Sequence, residues 1–311
     1  MSFSLDVKKE TAKVMLSKTQ AKAQLAAMIQ ASLNQEDPDL GGPFKLTFSH
    51  VFLAKRYVEL MKALYGIECE IEYVGKKKMT QTSSTSITIH EKVKIILEDL
   101  GLFVNHHFQG MVAKSLVVKD DDARAYIAGW FLIKGSINSP NTSNYHLEIR
   151  FKQETLADFV SVLLQRFYIQ SKLTNRRHEK VLYIKSSEQI GDVLRLIGAS
   201  NALLEFEDIR IHRDFHNSLT RLDNCEVSNE MKSIQTGHKQ VEAIEKLIRY
   251  KRLNHMEKRL QEVAHLRLKH PEHSLKELAE EYEIESGESI SKSGMKHRLD
   301  KLMDAANRIN D

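Results

Sequence analysis

The sequence predicts an α+β protein: a pseudo-symmetric domain made of two copies of one helix-and-strand unit, followed by an all-α domain. Three observations carry that prediction. Two stretches run in the order helix, strand, helix, strand, strand, helix, and the two copies can be quoted against each other. From about Ile234 onward, apolar residues recur only at helical spacing. The matching copies are AQLAAMIQASLN with AYIAGWFLIKGSIN, and SITIHEKVKIILEDLGL with VLYIKSSEQIGDVLRLIGA. Helices covering one face of antiparallel sheets satisfy such an order. The expected limits are 1–222 for the duplicated domain (half-domains about 5–110 and 120–200), 223–233 for a linker and 234–311 for the helical domain.

Residues 5–34 read as one helix, basic and polar as far as Lys22 and apolar over AQLAAMIQASLN. NQEDPDLGGP ends it, with two prolines and two glycines as turn punctuation. PFKLTFSH reads as a strand and VFLAKRYVELMKALYG as a helix closed by Gly66. IECEIEYV alternates strictly, with Cys69, Ile71 and Tyr73 on one face and Glu68, Glu70 and Glu72 on the other. KKKMTQTSST is a polar hairpin loop, SITIHE a strand and VKIILEDLGLF a helix.

The order then repeats. RAYIAGWFLIKGSIN reads as an apolar helix, SPNTSN as a turn, YHLEIRFK as a strand and ETLADFVSVLLQRFYI as a helix. SKLTNRR and HEKVLYIK are strands, and EQIGDVLRLIGA is a helix that closes at Gly198. NALLEFEDIRIHRDFHNSLTRLDNCEVSNEMKS, rich in Asn, reads as the junction between domains. Four helices follow: GHKQVEAIEKLIRYKRLNHM, EKRLQEVAHLRLKH ended by Pro271, and a pair within His270–Met303.

That last pair carries the functional signal. Its first helix opens at Ser274 with Glu277 three residues on, a capping box, and Leu275, Leu278, Ala279 and Tyr282 form its buried stripe. The connection EIESGESI is longer than the usual three- or four-residue turn. The second helix opens at Ser291, with Met295, Leu299 and Leu302 facing inward. Ser293 and His297 face outward, flanked by Lys296 and Lys301. A face that is small, polar and basic suits a reader of the DNA major groove, because bases and phosphates must come close. Lys292 falls in the first turn, where the helix dipole disfavours a cation unless an anion is near. The candidates for DNA contact are Ser291, Lys292, Ser293, Lys296, His297, Arg298 and Lys301. Ser293 and His297 would meet base edges and the basic residues phosphates, with Arg298 near the packing edge and dependent on its long stem. The same pattern also fits an ordinary amphipathic hairpin with a solvated face.

Composition sets outer bounds. A hydrophobic content of 41% supports real cores, and a net charge of +4 permits nucleic-acid binding without demanding it. Cys69 and Cys225, the only cysteines, build neither a disulfide framework nor a cysteine zinc site. No signal peptide and no apolar run of the ~18 residues that span a membrane is visible. The expected location is cytoplasmic and nucleoid-associated, with no membrane partner, no small-molecule substrate and no cofactor. His106 and His107 are adjacent, but they lack a third ligand at helical spacing, so no metal site is expected.

IAGWFLIKG at 127–135 and LAAMIQASL at 25–33 resemble the paired LAGLIDADG helices of homing endonucleases, each within its αββα half-domain. Together with NALLEFEDIRI, NSLTRLDNCEVSN, SLKELAEEY and SISKSGMKHRLDKL, nearly the whole chain resembles the WhiA family. That family joins a degenerate LAGLIDADG domain to a C-terminal helix-turn-helix. The resemblance implies a bacterial, sequence-specific regulator of transcription linked to cell division, chromosome segregation or sporulation. Double-stranded DNA is its implied partner, with another transcription factor or RNA polymerase as a further one.

In the nucleases the penultimate residue of each motif is an acid that holds a divalent metal, and phosphodiester cleavage needs that metal. Here those positions are Ser32 and Lys134, a hydroxyl and an ammonium that cannot hold Mg²⁺. Asp120, Asp121 and Asp122 precede the helix, about three turns from that end. No catalytic residue and no metal are therefore expected, and the chain is read as no enzyme. Small Ala26, Ala27, Ala128 and Gly129 keep the packing use of the helix pair. The sheet saddle is divided in sign, Glu68, Glu70 and Glu72 in one half against Lys172, Arg176 and Arg177 in the other. It is expected to add little DNA affinity and to serve protein contact or positioning. The alternative for the whole chain is a protein-interaction scaffold in cell division or nucleoid organisation.

Overall fold

Where the sequence suggests one N-terminal helix over 5–34, the chain forms two, α1 (Phe3–Thr11) and α2 (Lys18–Ser32). The break is local chemistry. Ser17 Oγ accepts from the Gln20 amide while Gln20 Oε1 accepts from the Ser17 amide at 2.7 Å, so a capping box restarts the helix. The computed structural model describes residues 2–33, 43–74, 84–104, 107–108 and 114–309. It divides into two compact units, Met1–Arg213 and Asp214–Asp311. The loops expected at NQEDPDLGGP and KKKMTQTSST fall largely outside the described residues, as do His106 and the side chain of His107.

The first half-domain continues with β1 (Phe44–Phe48), α3 (Val51–Tyr65), β2 (Glu70–Val74), β3 (Ser84–Ile89), α4 (Val93–Asp99) and the short β4 (Phe103–Val104) and β5 (His107–Phe108). Gly66 ends α3 at φ 63°, the left-handed conformation in which its amide still reaches the Lys62 carbonyl. The strands order β1-β3-β2, antiparallel, with Leu46 and Ile71 both opposite Ile87. Outer strand β2 departs from the expectation of one buried face: Ile71 is 41% and Tyr73 66% exposed. Alternation gives a strand two faces, but only a covering element makes one of them a core face.

The second half comprises α5 (Asp120–Lys134), β6 (Gly135–Ile137), β7 (Leu147–Phe151), α6 (Glu154–Gln165), β8 (Lys172–Arg176), β9 (Glu179–Ile184) and α7 (Ser187–Leu196). Its sheet orders β6-β7-β9-β8 and is antiparallel throughout. Helix α5 is shorter at its end than RAYIAGWFLIKGSIN suggests, because Gly135 leaves the helix and starts a strand. A Cβ on Gly135 would stand 2.3 Å from the Phe131 ring, so only glycine fits that corner. Asp120, Asp121 and Asp122, expected ahead of the helix, occupy its first turn, where their charge suits the positive end of the dipole.

Helices α2 and α5 form the centre of this unit. Leu25, Met28 and Ile29 of α2 and Tyr126, Ile127 and Phe131 of α5 are fully buried. A Cβ on Gly129 would lie 2.6 Å from the Gln24 carbonyl oxygen, so the two backbones touch there. Buried polar groups are paired across the core: Tyr126 donates to Gln30 Oε1 at 2.7 Å and Arg56 Nε to Gln24 Oε1 at 2.8 Å.

The junction differs most from its sequence reading. Residues 223–233, expected as a linker, lie inside α8 (Ser200–Arg249), a 50-residue helix. From Gly198 to Gly237 the sequence holds neither glycine nor proline between them. Asn and Ser lower helix propensity by only a few tenths of a kcal/mol each, so without a breaker the helix propagates. Ser218, Thr220 and Thr236 also satisfy their hydroxyls on carbonyls four residues back.

In the second unit, α9 (Lys258–Lys269), α10 (Leu275–Ser286) and α11 (Lys292–Asn307) pack with the end of α8. Ile244, Leu247, Leu260, Val263, Leu278, Tyr282, Met295, Leu299 and Leu302 make its core.

Candidate nucleic-acid interface

The hairpin at α10 and α11 is tighter than EIESGESI suggests. Helix α10 extends through Ser286, and Gly287 caps it at φ 72°, so the connection is only 287–291. Both expected starts are present. Ser274 and Glu277 form a reciprocal capping box, the Ser274 amide donating to Glu277 Oε2 at 2.7 Å. Those bonds hold the Glu277 carboxyl below the usual carboxylate range. Ser291 Oγ accepts from the Gly294 amide at 3.1 Å and lies 3.0 Å from Ser293 Oγ.

Met295, Leu299 and Leu302 are fully buried against Leu278 and Tyr282, which fixes the rotation of α11 about its axis. That rotation leaves Ser291, Lys292, Ser293, Lys296, His297 and Lys301 exposed, a single polar and basic surface. Arg298 is different. It is half-buried, and its guanidinium sits over the Tyr282 ring at 5.2 Å from the centroid. Tyr282 in turn donates to Glu262 at 2.9 Å, tying α11 through α10 to α9. Arg298 is thus engaged in packing while the other six face solvent.

Beside this surface lies a cavity of about 850 Å³, lined by Lys232, Ser233 and Thr236 of α8, by Ser274 and by Lys292, with Glu230, Glu272 and Glu277 among the acids. Its wall rests on Arg267, which the sequence does not single out. Arg267 is 2% exposed, and its Nη1 donates to the carbonyls of His270 (3.2 Å), Pro271 (3.3 Å) and His273 (2.7 Å). Burial pulls its pKa down to about 10. The arginine thereby holds the loop that delivers Ser274 to the start of α10. Gly237 of α8 makes room for that loop, since a Cβ there would stand 2.3 Å from the Pro271 oxygen.

The two degenerate nuclease positions stand at the ends of the central pair, Ser32 closing α2 and Lys134 closing α5. The Ser32 hydroxyl is buried without a hydrogen-bond partner among the described residues. Lys152 Nζ reaches the Leu33 carbonyl at 3.4 Å. Burial and the nearby Lys152 and Arg150 lower the Lys134 pKa, against a smaller opposite pull from Glu179. Among the described residues no cluster of three or more His, Cys, Asp or Glu could hold a metal ion.

On the sheets, charge is more balanced than sequence alone suggests. In the first half Glu72 bonds to Lys45 at 2.8 Å and Glu70 to His90 at 2.7 Å. In the second, Glu148 is gripped by Arg150 through two bonds of 2.6 and 3.0 Å, and by His146 at 3.3 Å. Arg176 stands 3.7 Å from the same carboxylate, while Lys172 is exposed on β8.

Comparison with known proteins gives a consistent answer along the chain. Residues 18–103 match the WhiA N-terminal LAGLIDADG-like domain, 123–216 the WhiA LAGLIDADG-like domain, and 219–306 the WhiA C-terminal HTH domain. A probable cell division protein WhiA of Staphylococcus haemolyticus (strain JCSC1435) is 36% identical over 309 residues, covering 99% of this chain and 98% of that protein. The probable cell division protein WhiA of Staphylococcus aureus (strain JH9) shows the same identity and coverage. The crystal structure of full-length WhiA from Thermatoga maritima is similar in fold, with a TM-score of 0.57 and 22% identity, covering 100% of both chains. No described helix is long and apolar enough to cross a membrane.

Proposed function

This chain belongs to the WhiA family, and from that premise we propose that it is a sequence-specific DNA-binding regulator of transcription linked to cell division, chromosome segregation or sporulation. Its partner is double-stranded DNA, with another transcription factor or RNA polymerase as a second contact, and its place is the cytoplasm, on the nucleoid. The observation that carries this reading is the outward face of α11. Ser293 and His297 are exposed on it, as contact with base edges would require, and Lys292, Lys296 and Lys301 are exposed beside them, as contact with phosphates would require. Ser291 caps the helix and has its hydroxyl engaged, so its share in contact is through the exposed first turn. Arg298 contributes by holding the helix in place through Tyr282.

Phosphodiester cleavage is absent from this reading. A hydroxyl at Ser32 and an ammonium at Lys134 stand where paired carboxylates would hold the metal. Binding of a fluorescent duplex to the full chain across a salt series, with and without Lys292→Ala, Lys296→Ala and Lys301→Ala, tests the reading. Binding with a steep salt slope that flattens in the variants supports it. Binding unchanged by the three substitutions sinks it, and absence of any duplex binding favours a protein-interaction scaffold instead.

A further inference from the structure

Within the second unit, α8 is buried only from Gly237 onward. Every residue from Asp214 to Lys232 is exposed, about five turns of helix with no packed face. A bare helix of this kind is usually held by ion pairs three or four residues apart. Among the described residues, none of the charged side chains from Asp214 to Lys232 has one. Nor are the residues good helix formers: Asn217, Asn224, Ser228 and Asn229 all propagate a helix less well than alanine. Helix stability does not account for that choice of side chains.

The side chains sort by chemistry around the helix. At about 100° per residue, Asn217, Arg221, Asn224, Ser228 and Lys232 fall within about 80° of arc. Asp223, Glu226 and Glu230 fall on the opposite side, with apolar Phe215, Leu219 and Leu222 next to them. Asp214 is the one acid of the stretch near the first group, at its beginning. One side thus offers hydrogen-bond donors and two unpaired cations, with the other acids turned away. This stripe runs about 22 Å, long enough to pass about six phosphates of one DNA strand. Its far end meets the proposed DNA-reading helix, because Lys232 lines the same cavity as Lys292 in the first turn of α11. Glu230, Glu272 and Glu277 line that cavity too, so it is no phosphate pocket, but it makes the two basic surfaces neighbours. A cation in a first helical turn opposes the dipole, and an anion passing there would remove that cost at Lys292.

We propose that Asn217, Arg221, Asn224, Ser228 and Lys232 form a second DNA-contact surface, which lies along the sugar–phosphate backbone and continues the one on α11. Arg221 and Lys232 meet phosphates as charges, while the amides of Asn217 and Asn224 and the Ser228 hydroxyl donate to phosphate oxygens. Such contacts read no bases; they set the register and orientation in which α11 enters its groove. The inference rests on the reading of α11 as the DNA-facing helix and deepens it by widening the footprint. A protein partner is the rival use of the same bare helix, and it would seat on Phe215, Leu219 and Leu222 rather than on the amides.

The test uses the full chain and a fluorescent duplex of mixed sequence across a salt series. Arg221→Ala with Lys232→Ala is expected to weaken binding about tenfold at about 0.1 M salt, and to lower the slope of log affinity against log salt by about two. Asn217→Ala with Asn224→Ala changes no charge, so it is expected to weaken binding severalfold at an unchanged slope. Alanine favours helix more than any of the four residues replaced, so neither variant should have a Tm below the parent's. Parent-like binding by both double variants overturns the proposal. If Lys296→Ala still weakens binding in that case, the α11 reading stands without it. A loss confined to the charged pair overturns the proposal too, since net charge alone then explains the effect. The α11 reading fails by itself if both α8 variants weaken binding while Lys292→Ala, Lys296→Ala and Lys301→Ala do not. A parent that binds no duplex ends both.

Discussion

The two helix pairs of this protein are put to opposite uses. In α2/α5 nearly every side chain is buried, from Leu25 to Ala31 on one helix and from Ala125 to Leu132 on the other. In α10/α11 only one stripe is buried, and a whole face of α11 is left to water. A pair sealed on all sides is a spine, and its work is to hold the two half-domains together. A pair sealed on one side keeps a face open along its length, as the proposed role of reader requires. Ser32 and Lys134 stand at the tips of the first pair, beyond the run of buried side chains that holds it.

The sharpest way to break this comparison is at the glycines. Gly129→Ala places a Cβ 2.6 Å from the Gln24 carbonyl and 2.7 Å from Ala27 Cβ, and backbone cannot step aside cheaply. A loss of about 3 kcal/mol, read by chemical denaturation, is expected. Gly294→Ala in α11 meets the Ile290 side chain at 3.0 Å, which can give way, so its cost should stay below about 1 kcal/mol. Equal costs would erase the distinction between spine and reader. The reverse asymmetry applies to charge. Replacing Lys292, Lys296 and Lys301 by Ala should leave Tm nearly unchanged, while the slope of log affinity against log salt falls by about three.

A smaller effect concerns Lys8. Its folded pKa of about 8 lies below the unfolded 10.5, so at neutral pH the chain carries a charge that folding disfavours. The penalty is fully present below pH 8 and is relieved as pH rises toward 10.5. Lys134 on α5 is the charge that adds to burial there, and His50 and Lys9 stand within reach of the same field. Lys8→Met should therefore stabilise the chain at pH 7 by about 2 kcal/mol, an advantage that shrinks above pH 8. An advantage that grows with pH would contradict it. Ser274→Ala should cost about 1 kcal/mol from loss of the cap, less than Lys8→Met gains, measurable as a lower Tm with no change in salt slope.

How much of this was legible depended on whether the deciding contact was local. Ser274 with Glu277, Ser291 and Gly66 announce themselves because a cap and its helix are neighbours in sequence. The same signature at Ser17 and Gln20 lies inside a run of helix-forming residues, which hides the break between α1 and α2. The turn Glu283 to Ser286, polar but for Ile284, resembles a loop in sequence because a buried stripe is what marks a helix, and α10 exposes that turn. For α8 the Asn-rich composition suggested a linker, whereas the lack of any breaker decided the structure. Lys152 and Leu33 meet across 119 positions, and Arg267 works through three carbonyls of a loop. Side-chain types report no such meetings.

Strand β2 carries a consequence for how the protein behaves at high concentration. It is the outer strand of its sheet, and it shows water both Ile71 and Tyr73, the surface on which a second chain could add a strand. Glu70 and Glu72 alternate with them, so two chains brought edge to edge would place like charges opposite one another. Their carboxylates, held by His90 and Lys45, would then guard solubility whatever the saddle contacts. Light scattering of Glu70→Thr with Glu72→Thr should show association at lower concentration than in the parent, and an unchanged threshold would relieve these residues of that task.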